Sequence, residues 1–187
     1  MSRYDELRPE IKTGDCLLWA NNTALGWLIR KFSHAPVNHA SLIIRLELQG
    51  LKDRVWQLEA LARGIEFHLV SRSLRNYGGR VYWLKLHDKY NPIRPGIAAW
   101  ALPLEGTPYD YRSLFRNAVS RVNADARKFF CSEYLYMAYY RHRIVPRTKA
   151  PTPGGLLRYA IWQRIEQVHG EPQPIHLGNQ RKDKTKN

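Results

Sequence analysis

Cys131 stands in the run Phe129-Phe130-Cys131-Ser132-Glu133-Tyr134-Leu135-Tyr136, where two aromatics lead into a stretch with helical periodicity. A cysteine at that place can be a nucleophile or a small buried hydrophobe, since free cysteine is among the most buried residue types. The nucleophilic reading asks for specific help. A free thiol ionises near pH 8.5, and only its thiolate attacks a carbonyl carbon well. A helix N-terminus supplies partial positive charge and unpaired N–H groups. Those N–H groups can also receive an oxyanion. An imidazole must take and return the thiol proton, and a third group must hold that imidazole in one tautomer.

Seven histidines are available, at 34, 39, 68, 87, 142, 169 and 176. His39 opens the β-rich run Asn38-His39-Ala40-Ser41-Leu42-Ile43-Ile44-Arg45-Leu46, where a strand can aim it rigidly. His68 lies inside a strand near its end, and His34 falls in a loop. His142 sits in an Arg-His-Arg segment too far along the Cys131 helix, and the remaining three have polar surroundings. A lone histidine at a strand start is also a common core or capping residue. Among carboxylates, Glu59 lies near the end of the following strand, and an antiparallel hairpin sets the start of one strand beside the end of the next. Glu66, beyond Gly64, is the competing choice.

These residues must be positioned by a single α+β domain. A chain of 187 residues can bury a sizeable core, and an apolar content of 44% fits a globular protein. The expected domain is 1–187, with its core about 12–168 and a basic tail over 177–187. Residues 1–12 read as a polar lead-in. Short strands are expected at Cys16–Ala20, 38–46, 54–60, 65–70 and Arg80–Leu86, the last four forming an antiparallel meander. On the return strand Val55, Gln57 and Glu59 share one face, and Trp56 and Leu58 the other. Helices are expected over 24–32, 93–104, 112–122, 131–140 and 156–168.

Composition narrows the function classes. Cys16 and Cys131 are the two cysteines, too few for a disulfide framework or a four-cysteine zinc site. The histidines show no H-x-x-x-H spacing, so neither metal nor other cofactor is expected. Cys16 reads as buried structure. The formal charge of +14, from 30 Lys and Arg against 16 Asp and Glu, favours an anionic surface such as phospholipid or cell-wall polymer. There is no nucleic-acid motif, and nucleic acid is not expected as a partner. No apolar run is long enough for a membrane span, and the N-terminal residues lack the apolar core of a signal peptide, so a cytoplasmic location is expected.

The order His, Glu, Cys, with Asn38-His39-Ala40-Ser41-Leu42-Ile43-Ile44 early and Phe130-Cys131-Ser132-Glu133-Tyr134-Leu135 late, resembles the permuted NlpC/P60 peptidases. The nearest branch is the YiiX/YaeF-like permuted papain-fold amidases. The Gly14-Asp15 turn, Gly106-x-x-Tyr109-Asp110 and the later Thr152-Pro153-Gly154 fit the same pattern, which spans about residues 12 to 165. The resemblance departs at Ala40-Ser41, where relatives often carry a Val-Gly-like pair. It implies a small antiparallel sheet or barrel packed on helices, with Cys131 at a helix N-terminus as its first residue. It implies Cys131 as nucleophile, His39 as base and Glu59 as the group orienting His39. Tyr109 and Asp110 would line the substrate pocket or pack beside it. The implied substrate is a peptide, amide or acyl lipid; a non-catalytic or acyltransferase-type module binding an anionic lipid or polymer is the alternative on the same fold.

Overall fold

A computed structural model of the chain describes residues 1–20, 36–61, 64–107, 130–148 and 150–173. The expected helices over 24–32 and 112–122, the residues Tyr109 and Asp110, and the tail 177–187 lie outside the described residues.

Among the described residues, six strands form one open antiparallel sheet: β1 (Cys16–Ala20), β2 (His39–Ile44), β3 (Trp56–Leu61), β4 (Gly64–Leu69), β5 (Arg80–Leu86) and β6 (Trp162–His169). Their order across the sheet is β4-β3-β2-β1-β5-β6. The sheet has two ends, so of the expected sheet or barrel it is the sheet that forms. Both of its faces are covered. Cys16, Leu18, Ala40, Leu42, Leu58, Tyr82 and Leu84 pack with α3 (Arg94–Ala101), α4 (Phe130–Arg141) and the short α5 (Pro153–Leu156). Leu17, Trp19, Ile43, Val81 and Trp83 point the other way, against α1 (Arg3–Leu7), Ile11 and α2 (Val70–Leu74). A strand buried on both sides has no polar face, which is why β1 reads as the unbroken run Cys-Leu-Leu-Trp-Ala.

Four expectations are corrected. Residues 1–12 are no polar lead-in: Ser2 caps α1 in a reciprocal box with Asp5, and Tyr4, Leu7 and Ile11 are buried. The meander runs only through β2, β3 and β4; β5 pairs with β1 instead of β4, because α2 carries the chain away from the β4 edge. The segment 93–104 is α-helical only over Arg94–Ala101, with 3-10 turns at Asp88–Ile93 and Leu102–Leu104 where Pro92 and Pro103 interrupt the α-helical bonds. The expected helix over 156–168 is the edge strand β6 beyond a single helical turn. Trp162, Ile165 and Val168 recur every three residues and imitate a helical face. Charged Arg164 and Glu166 are what protect an exposed sheet edge.

The start of β1 is locked by a buried ion pair. Gly14 adopts φ 86°, a conformation that suits glycine, and turns the chain into Asp15. Asp15 is fully buried and accepts from Arg94 Nη1 at 2.8 Å, Trp83 Nε1 at 2.8 Å, and the backbone N–H groups of Lys12 at 2.9 Å and Leu86 at 3.0 Å. Burial pushes the Asp15 carboxyl up, and these partners, all donors led by Arg94, work against that shift. Arg94 also donates to the carbonyls of Thr13 and Leu86 and to Asn91 Oδ1, joining the turn before β1 to the end of β5 and to α3.

Candidate active site

Helix α4 carries Cys131 at its second residue, one place later than expected and within the ordinary uncertainty of a helix boundary. Its tyrosines tie the helix down by their hydroxyls. Tyr139 donates to the Gly14 carbonyl at 3.0 Å, and Tyr134 to Ala101 at 3.2 Å. Tyr136 accepts from the Thr148 N–H at 2.7 Å, and Ser132 donates to the Pro151 carbonyl at 2.7 Å. The Pro-rich loop is thereby held beside the helix start. Tyr139→Phe keeps the ring and removes the link to Gly14. It is expected to cost about 0.5–1.5 kcal/mol in urea denaturation, the net worth of one hydrogen bond.

His39 opens β2 opposite Trp19 of β1, and its side chain retains 24% exposure. Its Nε2 lies 2.7 Å from Glu59 Oε2. The register explains the contact: Leu42 pairs with Leu58 and Ile43 with Gln57, which brings the start of β2 alongside the end of β3. Glu66, the competing carboxylate, is turned to His68 at 3.0 Å. The structure therefore separates two carboxylate–imidazole pairs and gives Glu59 to His39.

Cys131 is 7% exposed, and its sulfur shares a hydrogen bond with the His39 ring. Burial alone pushes the Cys131 thiol up. The charge and hydrogen bond of His39, then hydrogen bonds from the backbone of Ala40 and Ser132, outweigh burial and bring the thiol below its ordinary value. Burial alone would lower His39; the Cys131 charge and hydrogen bond, then Glu59, overcome it and push the imidazolium up to about 10. The two shifts are coupled: each group favours the charged form of the other. Among the described residues, Cys16 has no imidazole beside it, and one backbone hydrogen bond from Ser41 does not offset its burial. It is fully buried, and burial pushes its thiol well up, which suits the structural part expected for it.

Gln57 and Ser41 were not expected at the site, yet both are fully buried beside it. Gln57 donates to Glu59 Oε1 at 3.0 Å and accepts from Ser41 Oγ at 2.9 Å. Their signal in the sequence was slight: polar residues at inward positions of otherwise apolar strands. Among the described residues, no three His, Cys, Asp or Glu side chains converge as metal ligands, and no helix is long and apolar enough to cross a membrane.

The site residues stand on a fold with a known counterpart. The crystal structure of the metalloprotein YiiX from Escherichia coli O157:H7 superimposes with a TM-score of 0.58 at 13% identity, over 86% of this chain and 97% of YiiX. The likeness is one of fold: helices with an open antiparallel sheet. No protein-family model matches the chain. No curated protein matches it either. YiiX is described as a metalloprotein; the described side chains of this chain offer no metal-ligand cluster.

Proposed function

We propose that this chain is a cysteine hydrolase of amide bonds on a permuted papain-like (NlpC/P60-type) fold, with Cys131 as nucleophile, His39 as acid–base and Glu59 as the group that orients His39. The observation that carries the reading is the single imidazole bonded to the sulfur of Cys131 on one side and to Glu59 at 2.7 Å on the other. The fold shared with YiiX supports the fold part of this reading.

The chemistry follows from the proton positions. The Cys131 thiolate attacks the amide carbon, forming a C–S bond while the carbonyl π electrons move to oxygen. Helix N-terminal N–H groups of α4 stabilise that oxyanion. As it collapses, His39 gives its proton to the departing nitrogen, the C–N bond breaks, and a thioester remains. His39, now neutral, takes a proton from water as the water oxygen attacks the thioester. The C–S bond then breaks, releasing the acid and restoring the ion pair. Capture of the thioester by another nucleophile would make the same site an acyltransferase.

The pH dependence has a definite sign. Alkylation of Cys131 by iodoacetamide is expected to rise through a midpoint below the ordinary thiol value of about 8.5. It should then stay level until His39 loses its proton at about 10. His39→Ala should return the midpoint to the ordinary range or above. Thiol-directed acyl electrophiles provide the direct test: wild type should label at Cys131, and His39→Ala and Cys131→Ala should not. A folded wild-type protein that never labels would overturn the hydrolase. The +14 charge would then favour a module that binds anionic lipid or polymer, insensitive to Cys131→Ala.

A further inference from the structure

We propose that Gln57 is a positioning residue of this site, holding Glu59 as the acceptor that turns the Nδ1 side of His39 toward Cys131. The inference rests on the hydrolase reading above and extends it to the buried hydrogen-bond chain behind the carboxylate.

The bond directions in that chain are set from its two ends, an indole that donates and a carboxylate that accepts. The Trp19 indole N–H can only donate, and it donates to Ser41 Oγ at 2.9 Å. The Ser41 hydroxyl proton is then committed outward, to Gln57 Oε1 at 2.9 Å. The Glu59 carboxylate at the other end accepts, so the Gln57 NH2 faces it and the amide oxygen faces Ser41. That NH2 group has two protons and two acceptors, Glu59 Oε1 at 3.0 Å and Ser73 Oγ at 3.0 Å. Glu59 Oε1 thus faces an N–H. Glu59 Oε2 receives His39 Nε2–H at 2.7 Å, so the Nε2 proton is held and Nδ1 is the position that exchanges a proton with sulfur.

The placement is costly for the fold. Trp19 is from β1, Ser41 from β2, Gln57 and Glu59 from β3, and Ser73 from α2, on a sheet face otherwise filled by Leu17, Ile43, Val81 and Trp83. Apolar residues at 41 and 57 would pack there without needing partners. Other charges face the chain from two elements. From β4, Glu66 sits directly opposite Glu59 and His68 opposite Gln57, bonded to each other at 3.0 Å. From α4 comes Cys131.

The test is the pH profile of Cys131 alkylation by iodoacetamide, read by mass spectrometry of the Cys131 peptide, in wild type, Gln57→Met and Ser41→Ala. Thermal unfolding reports whether each variant is folded. Gln57→Met removes a hydrogen bond to a charged group; its midpoint should move up and its rate at pH 6 fall about tenfold. Ser41→Ala frees the amide to flip and should shift the profile the same way by about threefold, which keeps the test intact should Gln57→Met not fold. Folded variants with profiles superimposable on wild type would overturn the role of Gln57 and leave the triad standing. A wild-type midpoint in the ordinary thiol range would overturn the triad, and the role of Gln57 with it.

Discussion

Replacing Cys131 by alanine is expected to lower hydrolysis of an activated acyl substrate such as p-nitrophenyl acetate by at least about 10³-fold, with the fold retained. The size of the effect comes from the kind of loss. In the proposed mechanism, removing Cys131 removes the covalent intermediate and leaves His39 and Glu59 with no thiol to serve. What remains is the background from N–H groups at the start of α4. Cys131→Ser should rescue little, because a hydroxyl at ordinary acidity stays protonated beside His39 where the thiol does not. Stopped-flow release of nitrophenol reports both the burst of acylation and the steady state. A Cys131→Ala variant that retains the burst would remove Cys131 from the chemistry.

The largest effect on stability is expected at Asp15. Asp15→Ala leaves the Arg94 guanidinium, 6% exposed, without its counter-charge, and leaves the Trp83 indole N–H and the Leu86 and Lys12 N–H groups unpaired. Breaking a buried pair from one side costs about 3–5 kcal/mol, far more than the pair itself contributes over an apolar replacement. Urea denaturation should show that loss as a lower midpoint. Because Gly14 beside Asp15 accepts the Tyr139 hydroxyl of the Cys131 helix, thiol reactivity should fall in the same variant at temperatures below its melting. A midpoint shift worth under about 1 kcal/mol would show that Arg94 finds water or another acceptor.

How much of this was legible beforehand differs by element, for physical reasons. The strands at Cys16–Ala20 and Arg80–Leu86 were read at the residues they occupy, since each is a short β-rich run bounded by turn residues. The juxtaposition of His39 and Glu59 was legible because antiparallel pairing sets the start of one strand beside the end of the next, here across the long connection 45–55. The insertion of β1 between β2 and β5 was not, since nothing local records which distant strand fills an edge. Strand β6 was misread because Arg, Glu and Gln between apolar residues at intervals of three suit a helix as well as a sheet edge. The Trp19–Ser41–Gln57 chain was hidden for another reason. Side-chain hydrogen bonds depend on which inward positions face one another, and that needs the register of three strands at once.

Acid-quenching the protein within the burst of p-nitrophenyl acetate hydrolysis and mapping the acyl group by peptide mass spectrometry tests the central claim most directly. The account predicts one acetyl group, on Cys131, in wild type and its absence in His39→Ala. An acetyl group on another residue, or a burst with none on Cys131, would contradict it.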